Sequence, residues 1–192
     1  SLDGEGHLAI VARKESYEGF AFTSARINTR DLFEPTYGRF EVRMRLPWGQ
    51  GLWPAFWLLG ANEEEIGWPD CGEIDIMEYR GQEPFRIHGS VHGPGYSGNN
   101  PVTENFDLYD DRFDTGFYVF AVEWGANEIK WYVDDRLYQT VTASDLSGPW
   151  VFDHPFYIIL NLAVGGNYVG PPSDNTVFPQ TLLVDYVRVY EA

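Results

Sequence analysis

Hydrophobic and polar positions alternate along much of this chain. The clearest run is YGRFEVRMRL (37–46), where Phe40, Val42, Met44 and Leu46 interleave with Arg39, Glu41, Arg43 and Arg45. Successive side chains of an extended backbone point to opposite faces, so this run predicts a strand with one apolar and one charged face. FYVFAVEW (117–124), EIKWYVD (128–134), RLYQTV (136–141), PFYIILNLAV (155–164) and TLLVDYVRVY (181–190) are rich in β-branched and aromatic residues and bounded by turn formers. HLAIVARK (7–14), FAFTSARI (20–27), LWPAFWLL (52–59) and RIHGSVHG (86–93) extend the series. Asp134-Asp135, between two of these runs, predicts a tight hairpin. No segment has a helical period beyond a single turn near 143–146, and Gly and Pro collect in PWGQG (47–51), HGPGYSGNNP (92–101) and VGGNYVGPPSDN (164–175). About a dozen strands without helices predict an all-β sandwich of two antiparallel sheets, one of which can curve to leave an open groove. The whole chain, 1–192, reads as one domain.

One strand breaks the alternation. GEIDIMEY (72–79) places Glu73 and Asp75 on one face, and strict alternation would then send Glu78 into the core with Ile74 and Ile76. A buried, unpaired glutamate is costly. A β-bulge of one extra residue removes the conflict by tucking Met77 inside and returning Glu78 to the face of the other two acids. The Cα atoms of Glu73 and Glu78 are then roughly 13 Å apart. Side chains leaning together would bring the carboxyls toward the ~5–5.5 Å gap of a retaining glycosidase. In that chemistry Glu73 serves as nucleophile, Glu78 as general acid and then base, and Asp75 as the assisting residue between them. The alternatives are an acidic solvated strand face, and calcium ligation, which favours turn-like Gly/Asn-rich loops over an apolar run.

Composition narrows the partners. A net charge of −16 repels phosphate backbones and anionic lipid, so no nucleic-acid or membrane partner is expected. A neutral polymer is not repelled, and the 7 Trp residues suit surfaces that stack on sugar rings. The lone Cys71 allows no internal disulfide.

WPDCGEIDIMEYRG (68–81) resembles the active-site strand of glycoside hydrolase family 16, in particular its endo-1,3-β-glucanase (laminarinase) branch. TSARINT, YGRFEVRMRLPWGQGLWPAFWLLG, SVHGPGYSG, FYVFAVEW with IKWYVDD, PFYIILNLAVGG and VDYVRVY carry the resemblance in order along nearly the whole chain. It implies a β-jelly-roll sandwich with a concave substrate cleft, retention of configuration, and the same roles for Glu73 and Glu78. It further implies an endo-acting, secreted, monomeric hydrolase of β-1,3-glucan that needs no cofactor for catalysis. Alternatives on the scaffold are other specificities (mixed-linkage glucan, agarose, carrageenan, galactan) or a non-catalytic β-glucan-binding domain. The last normally lacks both glutamates. The branch acting on mixed-linkage glucan alone carries E-x-D-x-E, against which Met77 argues.

For substrate binding the resemblance implies Arg26, Trp53, Trp57, Trp68, His92 and Asn161. Trp53 and Trp57 share strand parity, so both face either the cleft or the core. His7 and His88 are assigned structural roles. Asp185 and the Gly6 carbonyl match family positions for a structural calcium ion. The family segment that precedes SLDGEGHLAI, with its first strand, has no counterpart in this sequence, which predicts an exposed sheet edge beside VDYVRVY.

Overall fold

The computed structural model describes residues 1–191. Its strands are β1 (Leu8–Tyr17), β2 (Phe20–Thr23), β3 (Arg26–Asn28), β4 (Gly38–Arg45), β5 (Leu52–Gly60), β6 (Glu73–Tyr79), β7 (Arg86–His92), β8 (Val102–Asp107), β9 (Tyr118–Trp124), β10 (Glu128–Val133), β11 (Arg136–Thr142), β12 (Phe156–Val164) and β13 (Gln180–Tyr190). They form a seven-stranded sheet, ordered β11-β10-β9-β4-β13-β1-β2, and a six-stranded sheet, ordered β3-β12-β5-β6-β7-β8. The pairings within both sheets are antiparallel.

The two sheets close on one apolar interior. Phe40, Val42 and Met44 of β4, the even-numbered set of the alternating run, are fully buried. They share a core with Phe56 and Leu58 of β5, Ile74, Ile76 and Met77 of β6, and Phe120 and Val122 of β9. The β10–β11 connection is the expected two-residue hairpin, with Asp134 and Asp135 at φ 46° and 62°. Those angles fit a turn whose twist matches the flanking strands. The turn near 143–146 is a short 3-10 helix at Ala143–Asp145.

Three features differ from the sequence expectation. FAFTSARI is two strands: β2 pairs with β1 in the larger sheet, while β3 pairs with β12 in the smaller. The chain changes sheets at Ser24-Ala25, where little apolar surface is buried and alternation has no force. The edge strand β8 (VTENFD) leaves no clear pattern in the sequence, since most of its residues are polar and none is fully buried. A one-turn helix, α1 (Glu63–Ile66), is too short to leave a period in the sequence. The edge beside VDYVRVY is open, as expected. β1 pairs with β13 only as far as Val184, and Tyr186 to Tyr190 pair with β4 alone.

Candidate active site

Three steps along β6 match two steps along each neighbour. Asp75 sits opposite Trp57 of β5 and Ser90 of β7, whereas Glu78 sits opposite Ala55 and His88. The extra residue is a β-bulge, and the side chains of Ile76 and Met77 both turn into the core, at 1% and 0% exposure. Two apolar residues in succession can enter the interior only where the pleat is interrupted, so the same interruption returns Glu78 to the outer face.

Tryptophans hold both glutamates. The Trp68 indole N–H donates to Glu73 Oε2 at 2.6 Å, and the Trp53 indole N–H donates to Glu78 Oε1 at 3.0 Å. Asp75 is buried between them, with His92 Nε2 at 3.1 Å from its Oδ2. Carboxylate oxygens of Glu73 and Asp75 and a ring nitrogen of His92 lie within 4.8 Å of one another.

Electrostatics follow from this crowding. Burial pushes the Glu73 carboxyl up to about 8, with the Asp75 charge adding to it. Burial and then the Glu73 charge push Glu78 up to about 7. Asp75 is driven well above the usual carboxylate range by burial and by the charge of Glu78. His92 and the two indole donors pull the other way for the glutamates without cancelling the burial. Three carboxyls in one low-dielectric site therefore share protons at neutral pH, and they titrate as a set.

The acids lie on the floor of a groove that continues on both sides. On one side the lining is Arg26, Trp53, Ala55, Trp57, Asn161 and Ala163. On the other, a depression of ≈ 710 Å³ is lined by Arg80, His88, His92, Asn99, Thr103 and Tyr168, among others. A site of this shape, with paired carboxyls between aromatic walls, suits a polymer lying across the sheet.

The family model for glycosyl hydrolases family 16 matches residues 3–187. The chain belongs to that family. It is 46% identical over 197 residues to the beta-glucanase of Rhodothermus marinus, covering 97% of this chain and 68% of that protein. The laminarinase catalytic domain of Thermotoga maritima superposes with a TM-score of 0.95 at 46% identity, covering 98% of this chain and 78% of that one. The endo-beta-1,3-glucanase of Pyrococcus furiosus gives 0.94 at 49% identity, covering 97% and 75%. The chain spans 27% and 26% of two longer relatives that it also matches.

In this family-16 chain the structure gathers all the expected cleft residues around the groove. Trp53 and Trp57 both face it, not the core. The Trp57 indole N–H donates to Asn161 Oδ1 at 2.8 Å, and Asn161 Nδ2 donates to the Trp53 carbonyl at 3.3 Å. The buried amide thus ties both tryptophan positions of β5 to β12. Arg26, on edge strand β3, lies 5.1 Å over the Trp57 ring. Trp68 is half exposed at the rim, 6.0 Å from the His92 ring. His7 has a structural role as expected, stacked on Phe117 and bonded to Asp3. His88 does not, because its partly buried ring lines the groove.

Arg80 and Tyr168 were missed. Tyr168 packs on Trp53 with centroids 5.0 Å apart, and the Arg80 guanidinium lies 4.1 Å over the Tyr168 ring. The signal for Tyr168 was present, as one aromatic inside the glycine-rich run VGGNYVG. Asp185, one of the two residues expected at a calcium ion, accepts from Arg43 Nη1 at 2.6 Å on the outer face of the larger sheet. Flanking Gly6, carboxylate oxygens of Asp3 and Glu5 and a ring nitrogen of His7 lie within 4.8 Å of one another, so further oxygen donors stand beside that carbonyl.

Proposed function

We propose that this chain is an endo-acting, retaining glycoside hydrolase that cleaves β-1,3-glucan by double displacement. The observation that carries the proposal is the bulge in β6, which turns Glu73 and Glu78 onto one face at the centre of a two-sided groove. The β-1,3 linkage is supported by similarity to laminarinases. Endo action is supported by the groove extending past the acids in both directions.

In the first step an oxygen of the Glu73 carboxylate attacks the anomeric carbon and the glycosidic C–O bond breaks. Glu78 gives its proton to the leaving oxygen. In the second, Glu78, now a carboxylate, takes a proton from water, whose oxygen attacks the same carbon and releases Glu73. Two of the three carboxyls must be neutral at the start, and the upward shift of all three supplies that state near neutrality. Burial leaves a proton on Glu73 in the free site, so attack requires that proton to pass to Asp75, which then donates back to the ionised Glu73. The Trp68 and Trp53 N–H groups hold the two glutamates in place. Trp57 offers a flat face to a sugar ring on the Arg26 side, and Tyr168 walls the other side.

The substrate is a polymer, so the protein acts outside the cell, and one chain carries every residue of the cleft, so a monomer suffices. The experiment is product release from laminarin, lichenan and agarose by the wild type and by Glu73→Gln. The expected result is rapid release of oligosaccharides from laminarin, lost in the variant while oligosaccharide binding is kept. Preference for agarose would move the chain to another family-16 specificity. Binding without turnover by the wild type would make it a recognition domain.

A further inference from the structure

The bulge interrupts the hydrogen-bond ladder of β6, and a buried backbone carbonyl freed at such a point needs a donor. At Asp75 that donor comes from the other sheet. The Trp131 indole N–H, from β10, reaches across the core to the Asp75 carbonyl oxygen at 2.8 Å, and Trp131 is itself fully buried. The space for the indole lies under β7. Residue 89 falls between Ser90, opposite Asp75, and His88, opposite Glu78, so it faces the bulge directly. It is glycine. A Cβ there would lie 2.5 Å from Trp131 Cδ1, 2.8 Å from Trp131 Nε1 and 2.4 Å from the Tyr138 hydroxyl. Its neighbours in phase, Ile87 and Val91, send side chains into the core, so glycine is the exception on that face.

We propose that the Trp131 indole N–H, admitted by the missing side chain of Gly89, is the brace that keeps the β6 bulge in register and so fixes Glu78 relative to Glu73. Trp131 touches no reacting atom; it is a positioning residue. The proposal rests on the function argued above for its kinetic consequences, but not for its structural ones. If the carbonyl loses its donor, the bulge can migrate or the peptide can rotate. Either change re-aims Glu78 before it disturbs the sugar contacts on β5 and β12.

The test replaces Trp131 by Phe and, through site-specific incorporation, by benzothienylalanine, which keeps the bicyclic shape but has sulfur where the N–H was. Three quantities are read: kcat and KM on laminarin, the pH profile of kcat, and the register of residues 75–78 by crystallography. The expected result for both variants is a fall in kcat of about tenfold or more, the order of effect of a lost positioning contact, with KM within about twofold. The limb of the pH profile assigned to Glu78 should move, and the 75–78 register should shift or the Asp75 peptide rotate. Wild-type kcat, pH profile and register in the benzothienyl variant would overturn the proposal, even if Trp131→Phe proved unstable. A rise in KM alone would also overturn it. Should the wild type prove to bind glucan without cleaving it, the function reading fails while the register still decides the brace.

Discussion

β4 and β6 are both central strands with charged side chains on their outer faces, and they treat those charges in opposite ways. β4 pairs residue for residue with β9, from Gly38 opposite Trp124 to Met44 opposite Tyr118, with no interruption. Arg39, Glu41 and Arg43 on it are each paired. Arg39 contacts Glu41, Glu123 and Asp135 at 3.2, 3.2 and 2.8 Å, and Arg43 contacts Asp185 at 2.6 Å. β6 carries three acids and no base on its outer face, is bulged, and lies under a groove that buries them. A surface built for stability alternates strictly and neutralises its charges. A surface built for chemistry keeps like charges close and lets burial hold protons on them.

The difference predicts a graded set of effects. The largest is on turnover. Glu73→Gln and Glu78→Gln should each lower laminarin hydrolysis by about 10³-fold or more, whereas Glu41→Gln on β4 should leave kcat/KM within about twofold. A Glu78→Ala variant should regain activity with azide on substrates with good leaving groups, measured as release of the aryl alcohol. Next comes the aromatic wall: Trp57→Ala should reduce kcat/KM by about tenfold, the scale of one lost stacking contact, seen mainly as a raised KM. Arg26, which rests on that ring, should follow with a smaller loss.

Stability responds to pH with a sign that separates the two strands. Glu73 has a folded-state value of about 8 against an ordinary 4.5. The folded state therefore holds a proton that the unfolded chain releases between those values, and stability falls as pH rises through that window. Glu73→Gln removes the penalty. Its melting temperature should exceed that of the wild type by a few degrees at pH 8 and match it closely at pH 4, read by calorimetry. The smallest effect is on the convex face. Breaking the part-exposed Arg43–Asp185 pair with Arg43→Met should change stability by about 1 kcal/mol at most and leave activity untouched.

Most of the fold was legible because its strands bury one face and expose the other. Phe40, Val42 and Met44 declare their side by period alone. The bulge was legible for the same reason, since the spacing of Glu73, Asp75 and Glu78 makes no sense in an unbroken pleat. What sequence could not show was anything that depends on a second strand. The switch at Ser24-Ala25 and the edge strand β8 bury too little apolar surface to print a pattern. Arg80 and His88 enter the groove through cross-strand register, which no local spacing encodes, whereas Tyr168 is marked only by its place in a glycine-rich loop. Trp131 looked like an ordinary core residue of β10, because nothing in EIKWYVD points to a carbonyl in the opposite sheet. For the cleft tryptophans, parity left two faces open, and only the position of β5 beside β6 chose between them.

In this mechanism Glu73 attacks while Glu78 handles the proton. The most direct measurement is mass spectrometry of the protein after reaction with an activated 2-deoxy-2-fluoro laminaribioside, whose glycosyl-enzyme intermediate turns over slowly. One added glycosyl group is expected on the peptide that contains Glu73, at the Glu73 carboxyl. A label on Glu78, or turnover of the reagent with no covalent adduct at any time, would contradict it.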